Sequence, residues 1–253
     1  MPQLVRIAIH PIKSLDPVEV HEARVLPSGA LENDRRFAIF DEKGRVVNGK
    51  REPRIHRIRA RYNLSRMTVV LSACGMEEQE FSLVRERDEI GRWLTRFLGY
   101  TVALREDATR GFPDDLEATG PTIISTGTLL EVAGWFPGMS LGDARLRFRA
   151  NLEVGAWEAF WEERVFTGGP RCIRVGEVVF RPTGISRRCV VPSRDPFTGS
   201  VLRGFQKTFA ERRIGSLPEG FRDNPYRLAL NTVVVRGAGS VLRLFDEVEL
   251  TEC

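Results

Sequence analysis

Histidine and cysteine are scarce: three and four among 253 residues. His10, His21 and His56 show neither HxH nor HxxxH spacing, and Cys74, Cys172, Cys189 and Cys253 form no CxxC pair. That argues against zinc fingers, four-cysteine clusters and a mixed His/Cys metal site. Cys74 and Cys172 read as structural, and Cys253, at the chain end, as mobile. No apolar run approaches the roughly 18 residues of a membrane span. Residues 1–7 enter strand-like sequence without a charged-then-apolar leader, so a cytoplasmic protein is expected. Neither GxGxxG nor a P-loop occurs. Charge of one sign never accumulates: 38 Lys and Arg stand against 34 Asp and Glu, and the net +4 is spread along the chain. A nucleic-acid stripe is therefore not expected.

What the sequence does contain is strand. Val5, Ile7 and Ile9 alternate with Arg6, Ala8 and His10, predicting a strand with the first set inward. Phe37–Phe40 and Arg45–Val47 flank a turn-rich connection and read as a hairpin. Further strands are expected at 68–71, 80–83, 173–180 (a hairpin), 188–191, 230–235 and 247–250. Phe148, Ala150, Leu152 and Val154 alternate with Arg147, Arg149, Asn151 and Glu153, which places Arg149 and Asn151 on one strand face. Three short helices are predicted. Ile90, Trp93, Leu94, Phe97 and Leu98 have helical spacing before Gly99. A second helix would start on a Thr128/Glu131 capping box, and a third would cover about 202–209. The polar, Gly/Pro-containing stretch 106–120 is the best boundary between two halves, 1–115 and 116–253. The expected class is α+β, predominantly antiparallel β, built as barrels or sandwiches.

The chemistry centres on Cys189, in the run Ser186-Arg187-Arg188-Cys189-Val190-Val191. Two adjacent arginines favour a thiolate, the form that ligates soft metals; the bland alternative is a small buried strand residue. This run, with Asp195-Pro196-Phe197-Thr198-Gly199 after it, resembles the core motif of the MOSC family, roughly C-S-R-C-I/V-x-T-T-x-D-P-x-T-G. Upstream, Ile9-His10-Pro11-Ile12-Lys13-Ser14, Asp34-Arg35-Arg36-Phe37 and Arg51-Glu52-Pro53-Arg54 resemble the β-rich domain preceding MOSC in amidoxime-reducing components and their bacterial relatives. Ile124-Ser125-Thr126, Arg147 to Asn151, Ile173 to Phe180 and Asn231 to Val235 continue the match in order.

The resemblance implies an N-terminal β-barrel-like domain followed by a MOSC β-barrel. It also implies a molybdenum cofactor (a molybdopterin holding molybdenum) with Cys189 as the protein's metal ligand. Lys13, Ser14, Arg35, Ser125, Thr126, Arg149, Asn151, Ser186, Arg187 and Asn231 match cofactor-contacting positions, and Asp195 is a candidate proton donor. The residue types suit the task. Lys13, Arg35 and Arg149 can neutralise a phosphate, the arginines through paired hydrogen bonds, and Asn151 can donate to and accept from a pterin edge. Ser125 and Thr126 would present free helix N–H groups to an anion.

This chain departs from the motif at Ser186, which replaces its first cysteine, and at Ser193-Arg194, which replaces the two threonines. The implied activity is reduction of N-hydroxylated compounds such as amidoximes or hydroxylamines. With no cluster cysteines and no nicotinamide signature, electrons would come from a separate ferredoxin-like or cytochrome-like donor and its reductase. The alternative is a carrier of the cofactor, or of sulfur on Cys189, without turnover of its own.

Overall fold

The computed structural model describes residues 1–167 and 171–253. The first part of the chain runs β1 (Gln3–Ile9), β2 (Val18–Val20), β3 (Glu22–Arg24), β4 (Phe37–Asp41), β5 (Val46–Val47), β6 (Arg59–Asn63), β7 (Thr68–Ala73), β8 (Met76–Ser82), α1 (Arg87–Leu98) and β9 (Val102–Glu106). The second part runs β10 (Ile123–Ser125), α2 (Thr126–Gly134), α3 (Leu141–Phe148), β11 (Leu152–Gly155), β12 (Arg171–Val175), β13 (Val178–Arg187), α4 (Phe205–Arg213), β14 (Arg227–Arg236), β15 (Val241–Arg243) and β16 (Val248–Glu252). It is a mixed fold of mostly antiparallel strands with few helices, as the alternating patterns predict; β10 and β11 pair in parallel.

Eight strands form the largest sheet, in the order β16-β12-β13-β14-β10-β11-β1-β2. The sheet bends back on itself. Gln3 bridges to Glu247, the Leu4 N–H donates to the Asp246 carbonyl (2.9 Å) and the Val248 N–H donates to the Pro2 carbonyl (3.0 Å). The enclosed side chains, among them Leu4, Ile7, Leu152, Val154, Phe180 and Leu230, are buried. Sheets β5-β4-β9 and β6-β7-β8 pack with α1 around a second core of Phe37, Ile39, Val69, Leu71, Trp93 and Leu104. A third core gathers Phe148, Phe205 and Phe209 among α2, α3 and α4. The loop from β9 to β10 contains the 115/116 junction, and β1 and β2, which precede it, join the sheet through β11, which follows it.

Several expectations need correction. In β1 the pairing with β11 shifts between Leu4 and Arg6, so Leu4, Ile7 and Ile9 face the core while Val5 is exposed. A bulge adds one residue, and the period-two pattern read from Val5 is broken there. Helix α2 begins two residues before the predicted box: Ser125 is its N-cap, accepting from the Thr128 N–H at 3.0 Å. Residues 141–148, the last two of them expected in a strand, form α3, capped by a reciprocal Ser140–Asp143 box. Arg149 ends α3 in the left-handed region (φ 54°), and strand begins only at Leu152. Cys253 is not loose, because it forms a disulfide with Cys172, and Cys74 is exposed rather than structural. Helix α1 does end as predicted, with Gly99 at φ 73° donating its N–H to the Thr95 carbonyl at 2.8 Å.

Candidate functional site

The C-terminal end of α3 organises the segment that carries Cys189. Arg147 is buried and donates through Nη1 to the carbonyls of Pro192 (3.0 Å) and Arg194. The Phe148 carbonyl accepts from Arg188 Nη2. Between these two clamps the chain leaves β13 and turns through a 3-10 segment, Val191–Ser193, where the Val191 N–H points at Cys189 Sγ (3.5 Å). Cys189 is a free thiol with partial exposure.

Cationic groups gather nearby. Lys13, which follows the end of β1, is buried, and its Nζ is held by the Phe112 carbonyl (2.9 Å), the Pro113 carbonyl (3.1 Å) and the Asp114 carboxylate (2.8 Å). Asp114 also feels Arg35 and Arg149; burial would raise its pKa, but Lys13 and then these arginines bring it below the usual carboxylate range. Of these three cations only Lys13 bonds to Asp114; Arg35 and Arg149 act on it at longer range. Burial, followed by Arg35, brings Arg149 down to about 10, so it still carries its charge at neutral pH. Its Nη2 donates to the Leu15 carbonyl at 2.7 Å. Burial likewise lowers Arg188, with Cys189, Tyr226 and Asp114 opposing.

Beneath these cations lies a polar support. Asp34 pairs with Arg35 and accepts from the His10 N–H at 2.8 Å. Burial acts to raise Asp34, but Arg35 and His10 outweigh it and bring it down to about 2. His10 is itself depressed to about 3, by burial first and Arg149 second. Asn151 is almost fully buried. Its Oδ1 accepts from Thr122 N (3.2 Å), Thr122 Oγ1 (3.1 Å) and Arg35 Nη1 (3.4 Å), and its Nδ2 donates to the Ala8 carbonyl (3.0 Å). Asn151 therefore aims Arg35 and ties β1 to the loop before β10.

The other candidates divide. Ser14 follows Lys13 in the left-handed region (φ 76°), turning the chain at the site's edge. Ser186 Oγ accepts from Arg188 Nη1 at 3.2 Å, and Asn231 Nδ2 donates to Asp115 at 3.1 Å. Arg187 does not join the cluster: it is exposed and 3.6 Å from Asp223. Ser125 and Thr126 offer no free anion site. The Ser125 N–H donates to buried Glu162 (3.2 Å), the Ser125 hydroxyl caps α2, and Thr126 Oγ1 donates to Glu153 (2.7 Å). Asp195, expected as a proton donor, anchors a turn. Its Oδ1 accepts from Phe197 N, Thr198 N and Thr198 Oγ1, and these bonds override burial and keep it ionised.

Sequence reasoning did not single out Asp114, Asp115 or Tyr226; it took His10 only as part of a matching run and Arg188 only as a neighbour favouring the Cys189 thiolate. Asp114 and Asp115 left a signal, as paired acids in the linker of a basic chain. Two of the atoms beside Cys189 bear on what the site can hold. Arg188 Nε and the Tyr226 hydroxyl are buried without a hydrogen-bond partner among the described residues, and burial costs such groups unless something pairs with them. A soft sulfur donor, an unsatisfied N–H and O–H, and nearby cations fit a metal-bearing polyanion.

Residues 1–101 match the model of the MOSC N-terminal beta barrel domain family. Over most of its length the chain is also similar to molybdenum cofactor sulfurase of Homo sapiens, at 26% identity over 83% of this chain and 28% of that protein. It is similar to mitochondrial amidoxime-reducing component 1 of Danio rerio, at 26% identity over 79% of this chain and 71% of that protein. A Drosophila grimshawi molybdenum cofactor sulfurase is matched at 26% identity over 87% of this chain. The chain spans 28% and 31% of the two sulfurases' length.

Proposed function

We propose that this chain binds a molybdenum–pterin cofactor through Cys189 and reduces small N-hydroxylated compounds with electrons from a separate donor. The observation that carries the reading is a partly exposed free thiol, Cys189, with the buried Arg188 Nε and Tyr226 hydroxyl near it lacking partners among the described residues. When bound, the cofactor supplies a two-electron metal centre able to accept oxygen from nitrogen.

The protein's own part is to bind and orient. Lys13, Arg35 and Arg149 would take a phosphate, with Arg35 aimed by Asp34 and Asn151. Residues 1–115 and 116–253 both contribute, so the ligand lies where groups from each can reach it. Cys189 Sγ would ligate the metal, and the clamps from Arg147 and Phe148 hold its loop in place. Burial raises the Tyr226 hydroxyl well above the ordinary tyrosine range, so it remains an O–H donor at every working pH. We assign no proton transfer to Asp195.

The test is elemental analysis of protein made in a cofactor-competent host, followed by turnover of benzamidoxime with a reduced viologen. We expect about one molybdenum per chain, with metal and turnover lost in Cys189→Ala. Full metal content and activity in that variant would remove Cys189 as ligand. The names of the two sulfurase relatives favour a second reading, cofactor or sulfur carriage. Molybdenum present without turnover would select it.

A further inference from the structure

The loop after Cys189 carries an apolar surface that the cofactor site does not use. Phe197, Val201 and Leu202 are 52%, 51% and 42% exposed. Phe197 fills the variable position of the D-P-x-T-G stretch, and the turn held by Asp195 projects it outward. The turn is firmly seated. Arg59 donates to the Pro196 carbonyl (3.2 Å) and lies 5.1 Å over the Phe197 ring, while Arg57 Nε donates to the Thr198 carbonyl (3.3 Å). Gly199 (φ 75°) packs so closely on the Pro53 carbonyl that a side chain there would collide. This is a rigid presentation of an aromatic residue, made by two segments that are remote in sequence.

Two exposed arginines flank it: Arg57, bonded to the Thr198 carbonyl, and Arg203, next to Leu202, and neither has a carboxylate within ion-pair range among the described residues. The acids nearby are committed: Glu52 is bonded to Arg54, Asp16 to Arg59, and Asp195 to its own turn. Aromatic anchors ringed by arginine are the compositional mark of protein interfaces. Unpaired positive charge beside them selects a partner of opposite sign and speeds its arrival.

We infer that the Phe197–Leu202 loop, with Arg57 and Arg203, is the docking surface for a small acidic redox protein that delivers electrons to this site. The inference rests on the proposed reductase reading for its purpose, but the surface is defined without it. The loop continues the segment that Arg147 clamps after Cys189, so it is the part of the surface joined most directly to the proposed ligand.

The test titrates an acidic ferredoxin, and separately an acidic flavodoxin, into the purified full-length holoprotein and reads binding directly. We expect saturable binding to at least one of them, weakened tenfold or more by Phe197→Ser and by the pair Arg57→Glu and Arg203→Glu. Binding should also fall steeply between about 20 and about 300 mM salt. Thermal unfolding of each variant checks that it is folded, as expected for exposed positions. Absence of binding to both carriers, or equal binding by wild type and variants, overturns the inference. So does preferential binding to phosphatidylserine vesicles that the same substitutions abolish, which would assign the patch to a lipid surface. Viologen-driven turnover is measured in parallel and should not change in the variants. Its absence in wild type with carrier binding intact would sink the reductase reading and leave the docking surface standing.

Discussion

Single side chains here carry charge into places where it is costly, and that makes their contributions measurable. Arg213 is fully buried, pairs with Glu163, donates to Ser216 Oγ at 2.7 Å and lies 4.0 Å over the Phe160 ring. Burial raises Glu163 to about 7 even against the pull of Arg213. Breaking such a pair leaves an uncompensated group, so Arg213→Ala should cost about 3–5 kcal/mol in denaturant unfolding. A loss under about 1 kcal/mol would mean that the pair is dispensable. His10 gives a pH signature. Its folded value is depressed to about 3, so the native state refuses a proton that the unfolded chain accepts below the ordinary 6.5. Its contribution is full above that value and is lost as pH falls toward 3, at up to about 1.4 kcal/mol per pH unit. Asp34, held down at about 2, adds a loss of the same sign below the ordinary 3.8. Melting temperatures of His10→Gln and wild type between pH 7 and 5 check this: the variant's curve should be flatter, and parallel curves count against it.

Among the elements, the loop from β9 to β10 has the clearest consequence for the site. Asp114 holds Lys13 and Asp115 holds Asn231, so two adjacent acids engage two residues expected to touch the cofactor. An incoming phosphate must compete with Asp114. Asp114→Asn should therefore tighten binding of inorganic phosphate to cofactor-free protein by about tenfold, or 1.4 kcal/mol, measured calorimetrically at low salt. Unchanged affinity would show that Asp114 is not the competitor. The elements also show where local pattern succeeds. Helix α1 was legible because five apolar residues at helical spacing run into a glycine that can adopt positive φ. Helix α3 was not. Its buried Ala144, Arg147 and Phe148 give only a narrow apolar stripe, and the alternation of Phe148, Ala150, Leu152 and Val154 imitates a strand across its end. That miss matters, because α3 supplies Arg147 and the Phe148 carbonyl that fix the Cys189 loop.

At the scale of the whole molecule, the two ends of the chain close the large sheet, β1 meeting residues 246–248. Cys253 is pinned to Cys172 across 81 residues, at the β12–β16 seam. Constraining a loop of that size restricts the unfolded chain, so Cys253→Ser should lower stability by about 2–4 kcal/mol. Unfolding with and without reductant is the check: wild type should respond to reductant and the variant should not. A reductant-insensitive wild type would show that the bridge contributes nothing.

The strand-rich class, the α1 helix and the hairpins at 37–47 and 173–180 were legible in the sequence by itself, and its resemblance to the MOSC family pointed to Cys189, Lys13, Arg35 and Arg149 as the chemistry to watch. These follow from period, turn chemistry and motif, which are local properties. Tertiary structure alone decided what each charge is paired with. Lys13 finds its carbonyl partner 99 positions away, and Arg35 and Asn231 reach theirs across 116. It also turned Ser125 into a cap, Asp195 into a turn anchor and Arg187 out to solvent. Which buried donor meets which acceptor depends on how sheets and loops pack, and no spacing within one segment encodes that.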